Sequence, residues 1–147
     1  MTTSLVNTAV SAIITALQTT PAVATQIDRV RLRPLAANVT AAVVVRPLKS
    51  EVAEAAMSPG APIRWSTHIA VECYARATPG TAPDAAVDSL LVSVYARLMA
   101  DPSLGGALLG LQPSDVEFDF DADGDQVVCA SFLFRASSRC AASSFSS

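Results

Sequence analysis

Hydrophobic and polar positions along the chain follow two periods, and these separate helices from strands. Residues 5–17, LVNTAVSAIITAL, space their apolar side chains three and four positions apart, which predicts one apolar helix face ending before Pro21. Residues 81–100 repeat this spacing and predict a second helix. Its buried stripe is expected to contain Val87, Leu90, Leu91, Val94 and Leu98.

Strict alternation predicts strands between and after the helices. Residues 63–75, IRWSTHIAVECYA, give the clearest case, with odd positions expected to be buried and even positions polar. Residues 27–33, IDRVRLR, predict a short strand that Pro34 interrupts, and residues 38–46 predict another. Residues 115–135 predict a hairpin that closes the domain.

Two segments lack a regular pattern. Residues 47–62 are punctuated by Pro and Gly, so we expect a long connection there, with one or two helical turns at most. Residues 136–147 are rich in Ser and Ala and are expected to form a mobile tail. The chain is therefore expected to hold one domain, residues 1–135, followed by that tail.

The order of elements is helix, strand, strand, loop, strand, helix, strand, strand. This order predicts an α+β fold, in which a mostly antiparallel sheet carries two helices packed on one face. A chain of 147 residues is long enough to bury a core of this kind without disulfides or metal.

The segment DFDADGD, residues 119–125, raises the question of a calcium site. Its acids and glycine match the first half of an EF-hand loop, but the closing bidentate Glu is replaced by Ala130. The flanking residues also alternate like strands, whereas an EF-hand needs helices. Asp-Gly between two alternating runs is typical of a tight hairpin turn, so we predict a turn and no metal site.

No pattern in the chain indicates a cofactor or a catalytic set. The three cysteines are widely spaced and show no CxxC motif. The single histidine, His68, lies mid-strand among polar residues, too far along one strand from Ser66 or Glu72 for direct relay. We predict that the protein is not an enzyme, that it has no cofactor, and that Trp65 belongs to the core.

Charge is distributed unevenly. Residues 115–125 hold six acids and no base, although the net charge is only −3. Arg29, Arg31 and Arg33 form a basic run near the other end of the chain. If the two runs lie on adjacent strands they pair within one molecule. If they lie on opposite flanks, the molecule is bipolar and copies associate head to tail.

We therefore predict an interaction surface from charge segregation and loop length. Its predicted residues are Arg29, Arg31, Arg33, Lys49, Glu51, Glu54, Asp115, Glu117, Asp119 and Asp121. Without interleaved aromatic residues, and with an acidic total, the basic run does not predict a nucleic-acid site. No apolar stretch is long enough to predict a membrane span, and the N-terminus lacks the pattern of a signal peptide.

Three stretches together resemble the tail terminator, or tail completion, proteins of long-tailed bacteriophages. They are WSTHIAVECYAR, AAVDSLLVSVYARLMADPSLGG and SDVEFDFDADGDQVVCASFLFR. The resemblance covers roughly residues 63–135, and more loosely the N-terminal helix and first strands.

That resemblance implies an α+β subunit which assembles into a ring, usually a hexamer, on the last ring of the tail tube. Such a ring stops tube polymerisation and provides the docking surface for the head-side connector protein. The implied partners are further copies, the tail tube protein and the connector, with genomic DNA passing through the lumen without specific binding. The implied location is the virion tail or neck, with assembly in the host cytoplasm.

Two other classes stay open at this point. A head–tail neck adaptor shares the size and the ring habit. A monomeric ligand-binding α+β domain would instead show a well-formed apolar pocket and no self-association.

Overall fold

The structure is a computed structural model that describes residues 3–30, 39–55, 58–120 and 127–146. Within these residues two helices and five strands follow one another. They are α1 (Leu5–Gln18), β1 (Gln26–Arg29), β2 (Ala41–Ala55), β3 (Ile63–Arg76), α2 (Pro83–Met99), β4 (Gly110–Asp119) and β5 (Val127–Cys140). The predicted order of helices and strands is confirmed.

The strands form one sheet in the order β1-β2-β3-β5-β4. The first pair, β1 and β2, is parallel, and the other three neighbouring pairs are antiparallel. The two edge strands, β1 and β4, therefore run in opposite directions. The fold is the predicted single-domain α+β structure with a mostly antiparallel sheet.

The core lies between the sheet and the helices, and alternation decides which strand residues reach it. In β3 the residues from Thr67 to Ala75 at odd positions are buried, as the sequence predicts. Helix α1 contributes its predicted stripe, with Leu5, Ile13 and Leu17 fully buried. Burying such side chains stabilises the fold by about 1.5–3 kcal/mol each.

The two helices do not cover the whole sheet. Helix α1 packs mainly against β1 and β2, and α2 packs against β3 and β5. Packed helices lie about 8–10 Å apart and strands about 4.8 Å apart, so two helices cover roughly four strands. The fifth strand, β4, is left bare, and each of its residues from Gln112 onward is exposed.

The prediction of a long loop over residues 47–62 is wrong for most of that segment. Strand β2 continues through Pro47 to Ala55 and pairs with β3 as far as Ile63. Proline fits here because β1 pairs only with residues 42–45, so β2 is an edge strand beyond them. A register shift next to Pro47 absorbs the remaining irregularity.

The prediction that a mobile tail begins at residue 136 is also wrong. Strand β5 runs on to Cys140, which pairs with Ile63, so the expected boundary at 135 falls inside a strand. Beyond the strand, the ring of Phe145 packs edge-on against Trp65 with centroids 5.0 Å apart. Ser146 forms a β-bridge to Ser4 at the start of α1.

The closing hairpin has the predicted strands. Asp119 of β4 lies opposite Cys129 of β5, and Ala130, where an EF-hand needs its bidentate Glu, is buried in β5. Strands, rather than helices, flank the Asp-rich segment. Its turn, residues 121–126, lies outside the described residues, so the predicted turn type stays a prediction.

Candidate interaction surface

The bare strand β4 presents an acidic row on the side of the sheet that carries no helix, which we call the open side. Asp115, Glu117 and Asp119 make up this acid row. They lie opposite Leu133, Ser131 and Cys129 of β5, none of which carries a positive charge. The fourth predicted acid, Asp121, lies outside the described residues.

Two acids of this row, Asp115 and Glu117, take part in none of the ion pairs of the described residues. Like charges two positions apart on one strand face repel each other, so solvent or a partner must offset them. Asp115 and Glu117 therefore favour a counter-charge from outside the chain.

On the side of the sheet that carries the helices, β4 and the residue that follows it are apolar and also exposed. Val116, Phe118 and Phe120 have exposed fractions of 37%, 51% and 54%. The rings of Phe118 and Phe120 stack with centroids 6.1 Å apart. Val116 lies opposite Phe132, whose ring is 5.7 Å from that of Tyr95 on α2. These five residues form one surface, which we call the aromatic ridge.

Sequence alternation placed Val116, Phe118 and Phe120 on the face opposite the acids but did not reveal that they are exposed. Alternation assigns a side chain to a face, and it does not say whether a helix covers that face. The number of predicted strands could have indicated this exposure, since two helices are too few to cover a sheet of five strands.

The basic run begins at the opposite edge of the sheet. Arg29 closes β1, and its Nη2 donates to Oδ1 of Asn7 in α1. Arg31 and Arg33 lie outside the described residues. Because β1 and β4 are the two outer strands, Arg29 and the acid row stand on opposite flanks, the second of the two arrangements that the sequence left open.

Arg29 and the acid row also project from opposite sides of the sheet. Arg29 shares a register position with the core residue Val45 and reaches α1, so it lies on the helix-covered side. Glu117 lies level with Ser131 on the open side. Copies joined edge to edge in a continuous sheet would thus bring Arg29 next to the aromatic ridge instead of the acid row.

The other predicted interface residues lie on the extended part of β2, and their charges are balanced locally. Lys49 Nζ is 3.4 Å from Glu51 Oε2, and Arg64 Nη2 is 3.3 Å from Glu54 Oε2. His68 Nε2 lies 3.0 Å from Glu51 Oε1. Hydrogen bonds from His68, and secondly from Lys49, lower the pKa of Glu51. This part of the surface carries little net charge.

His68 has no nucleophile beside it. Its ring nitrogen Nε2 contacts the Glu51 carboxylate, and no hydroxyl or thiol of the described residues hydrogen-bonds to it. Nucleophilic catalysis needs a base within hydrogen-bond reach of the group it activates. His68 and Glu51 form a surface contact between β3 and β2.

Surface grooves flank the helices, and in one of them two charged groups already bond to the chain itself. A groove of about 530 Å³ lies between α1 and the turn after α2. Arg97 at its wall donates to the carbonyls of Ala16 and Thr19. The Asp101 carboxylate accepts from Ser103 and Gly105, contacts that lower its pKa, Ser103 first. Neither group is available to orient a ligand.

The described residues contain no cluster of three or more His, Cys, Asp or Glu side chains able to hold a metal ion. They also contain no helix long and apolar enough to cross a membrane.

No protein-family model matches the chain, and no curated protein is similar to it. Solved structures do match. One is a chain of the virion of a native gene transfer agent particle, at 17% identity and a TM-score of 0.47, with 88% of this chain and 93% of that chain covered. Another is the PVC sheath/tube terminator of an extracellular contractile injection system, in its extended state.

The second match has 12% identity and a TM-score of 0.49 over 95% of this chain and 58% of that one. It is a terminator, the class that the sequence resembles. Both TM-scores lie below 0.5.

Proposed function

We propose that this chain is a structural virion protein which forms a ring at the end of a phage tail tube. The ring stops polymerisation of the tube and offers a docking surface to the head-side connector protein. The proposal combines the resemblance in the sequence with the surfaces described above, and it assigns the protein no reaction.

The observation that carries the proposal is the pair of unlike sheet edges. Strand β4 at one edge bears the acid row and the aromatic ridge, and β1 at the other bears Arg29. Two different surfaces on opposite flanks favour heterologous, head-to-tail contacts between copies. Such contacts close into a ring when the rotation between copies divides the circle evenly. The number six comes from the resemblance alone.

The acid row fits a passage that DNA crosses without binding. Carboxylates repel backbone phosphates, and neutralised phosphates are what nucleic-acid binding requires. Asp115 and Glu117, which lack an ion-pair partner within the described residues, supply that repulsion if the open side faces the lumen. The tube protein and the connector would then contact the two rims of the ring.

A head–tail neck adaptor is the second candidate, since it uses the same kind of ring. The two are expected to differ in their partners, since a terminator binds the end of the tail tube and an adaptor joins the head and the tail. The monomeric ligand-binding alternative finds less support, since the charged groups of the groove beside α1 are bonded to the chain's own backbone.

The decisive experiment mixes the purified protein with the tail tube protein of the same genome during tube assembly and images both by negative stain. We expect rings with a central opening, and tubes that are shorter and capped at one end. Tubes of unaltered length beside a strictly monomeric protein would contradict the proposal. Rings that ignore the tube but bind the connector would select the adaptor.

A further inference from the structure

The aromatic ridge has the character of an interface. Val116 and Phe118 of β4, and Phe120 directly after the strand, are each more than one third exposed, although they are large and apolar. Tyr95 is 43% exposed and joins them through Phe132. A contiguous apolar surface of this kind, bordered by charge, marks a contact with another protein. The question is which surface covers it.

The opposite edge of the same molecule offers a matching surface on the same side of the sheet. Helix α1, which lies over β1, has no charged residue anywhere in its sequence. Ile27 of β1 packs toward the core on that side, and the Arg29 guanidinium lies beside it against Asn7. An uncharged helix and an arginine suit an aromatic partner, because a guanidinium over a ring gains a cation–π interaction.

The directions of the strands permit this contact. Strands β1 and β4 run in opposite directions, so β4 of one copy can lie antiparallel to β1 of the next without turning the sheet over. A rotation about an axis along the strands leaves the helix-covered side of each copy facing the same way. The α1 helix of the second copy would then extend the helix layer over the bare strand.

We propose that the aromatic ridge of one copy docks against the α1–β1 edge of a second copy, with Arg29 of that copy over the rings of Phe118 and Phe120. This inference rests on the proposed ring and specifies its subunit contact. The buried side chains fill the space between α2 of one copy and α1 of the next. The free edge of β4 is covered in the same step, which removes an unpaired strand edge from the surface.

Charge argues against the symmetric alternative. If β4 of one copy paired with β4 of another, both aromatic ridges would be covered. The two acid rows, Asp115 with Glu117 and Asp119, would however meet on the open side, where directly opposed like charges destabilise a sheet. Among the described residues of β1, Asp28 is the acid on the open side, and its carboxylate accepts from Gln26 at 2.6 Å.

The first test compares two substitutions at one position. Phe118→Ser removes the ring from a half-exposed site, so the monomer should fold and melt nearly as the wild type does. Phe118→Tyr keeps the aromatic face. We expect the serine variant to self-associate about tenfold more weakly or worse, and the tyrosine variant to match the wild type, by sedimentation velocity. Equal association of all three proteins would overturn the proposed contact.

The second test identifies the occupant. Phe118 is replaced by the photo-crosslinking residue p-benzoylphenylalanine, and crosslinked peptides are mapped by mass spectrometry. We expect crosslinks to α1 or β1 of a second copy. Crosslinks to β4 or α2 of the second copy, or none at concentrations where the protein associates, would refute the inference. If imaging still shows rings, the proposed function survives that result; strictly monomeric protein would remove both.

Discussion

Cys73 is a fully buried thiol at the centre of β3, and its surroundings keep it neutral. Burial raises the pKa of Cys73 to about 12, with smaller contributions from Cys129 and Glu72. Burial likewise raises the pKa of Cys129. At neutral pH both thiols are small apolar core residues, which agrees with the absence of a disulfide among the three cysteines.

The raised pKa of Cys73 makes stability fall at alkaline pH. The folded-state pKa of about 12 lies above the reference value of 9.0, so the unfolded chain loses this proton first. The stabilisation is complete below pH 9 and is lost progressively as the pH rises toward 12. We expect urea unfolding to show a steeper decline from pH 9 to 10.5 for the wild type than for Cys73→Ala. Equal slopes would contradict this role.

At the residue scale, the sequence predicted which side chains face the core but not how exposed the other face is. Alternation placed Thr67 and Cys73 correctly, because burial on one face of a strand produces that pattern directly. It could not show that Phe118 is bare, or that Arg29 turns toward α1. Both outcomes depend on which element packs over the strand, and that is set by tertiary structure.

At the scale of elements, the C-terminal segment holds the two ends of the domain together. After Cys140 the chain turns back so that Phe145 packs on Trp65 and Ser146 bridges to Ser4. Ser4 also caps α1, since its Oγ accepts from the amide of Asn7. Ordering of this segment thus supports the first turn of α1 as well as β3.

Removing the Phe145 ring should therefore be visible at Trp65, the single tryptophan of the chain. We expect Phe145→Ala to shift the tryptophan emission to longer wavelength and to lower the free energy of unfolding by about 1 kcal/mol. Phe120→Ala is the matched control, because its ring is similarly exposed and stacks on Phe118 instead. Unchanged emission in the Phe145 variant would show that the contact does not persist in solution.

The order of elements was predictable, but two of their ends were not. Pro47 suggested an end to β2, yet proline is tolerated once the strand lies at an edge. The tail looked irregular because its residues are small. Its burial nevertheless alternates, with Ala136, Ser138 and Cys140 buried and Arg135 and Arg139 exposed. Small side chains differ little in hydrophobicity between buried and exposed positions, so the alternation that predicts a strand is hard to detect.

At the scale of the whole molecule, the acid row and the aromatic ridge lie on opposite sides of the sheet. The acid row and the basic run lie far apart along the chain, and the sheet order places β4 and β1, which ends at Arg29, on opposite flanks. The sequence could not predict that Arg29 and the acid row project from opposite sides of the sheet. That relation follows from the register of two separate strand pairs, which no local pattern encodes.

This geometry sets the sign of the salt dependence of self-association. An edge contact through the aromatic ridge brings Asp28 of one copy near the acid row of the next on the open side, so the charges there repel. Raising sodium chloride from about 50 to 500 mM screens that repulsion, and we expect association to strengthen or hold in sedimentation velocity. The Glu117→Gln variant should associate more tightly at low salt and lose most of this dependence. Association that weakens steeply with salt would instead indicate that Arg29, Arg31 and Arg33 pair with the acid row of a neighbouring copy, as charge segregation alone predicts. That outcome would contradict the aromatic contact.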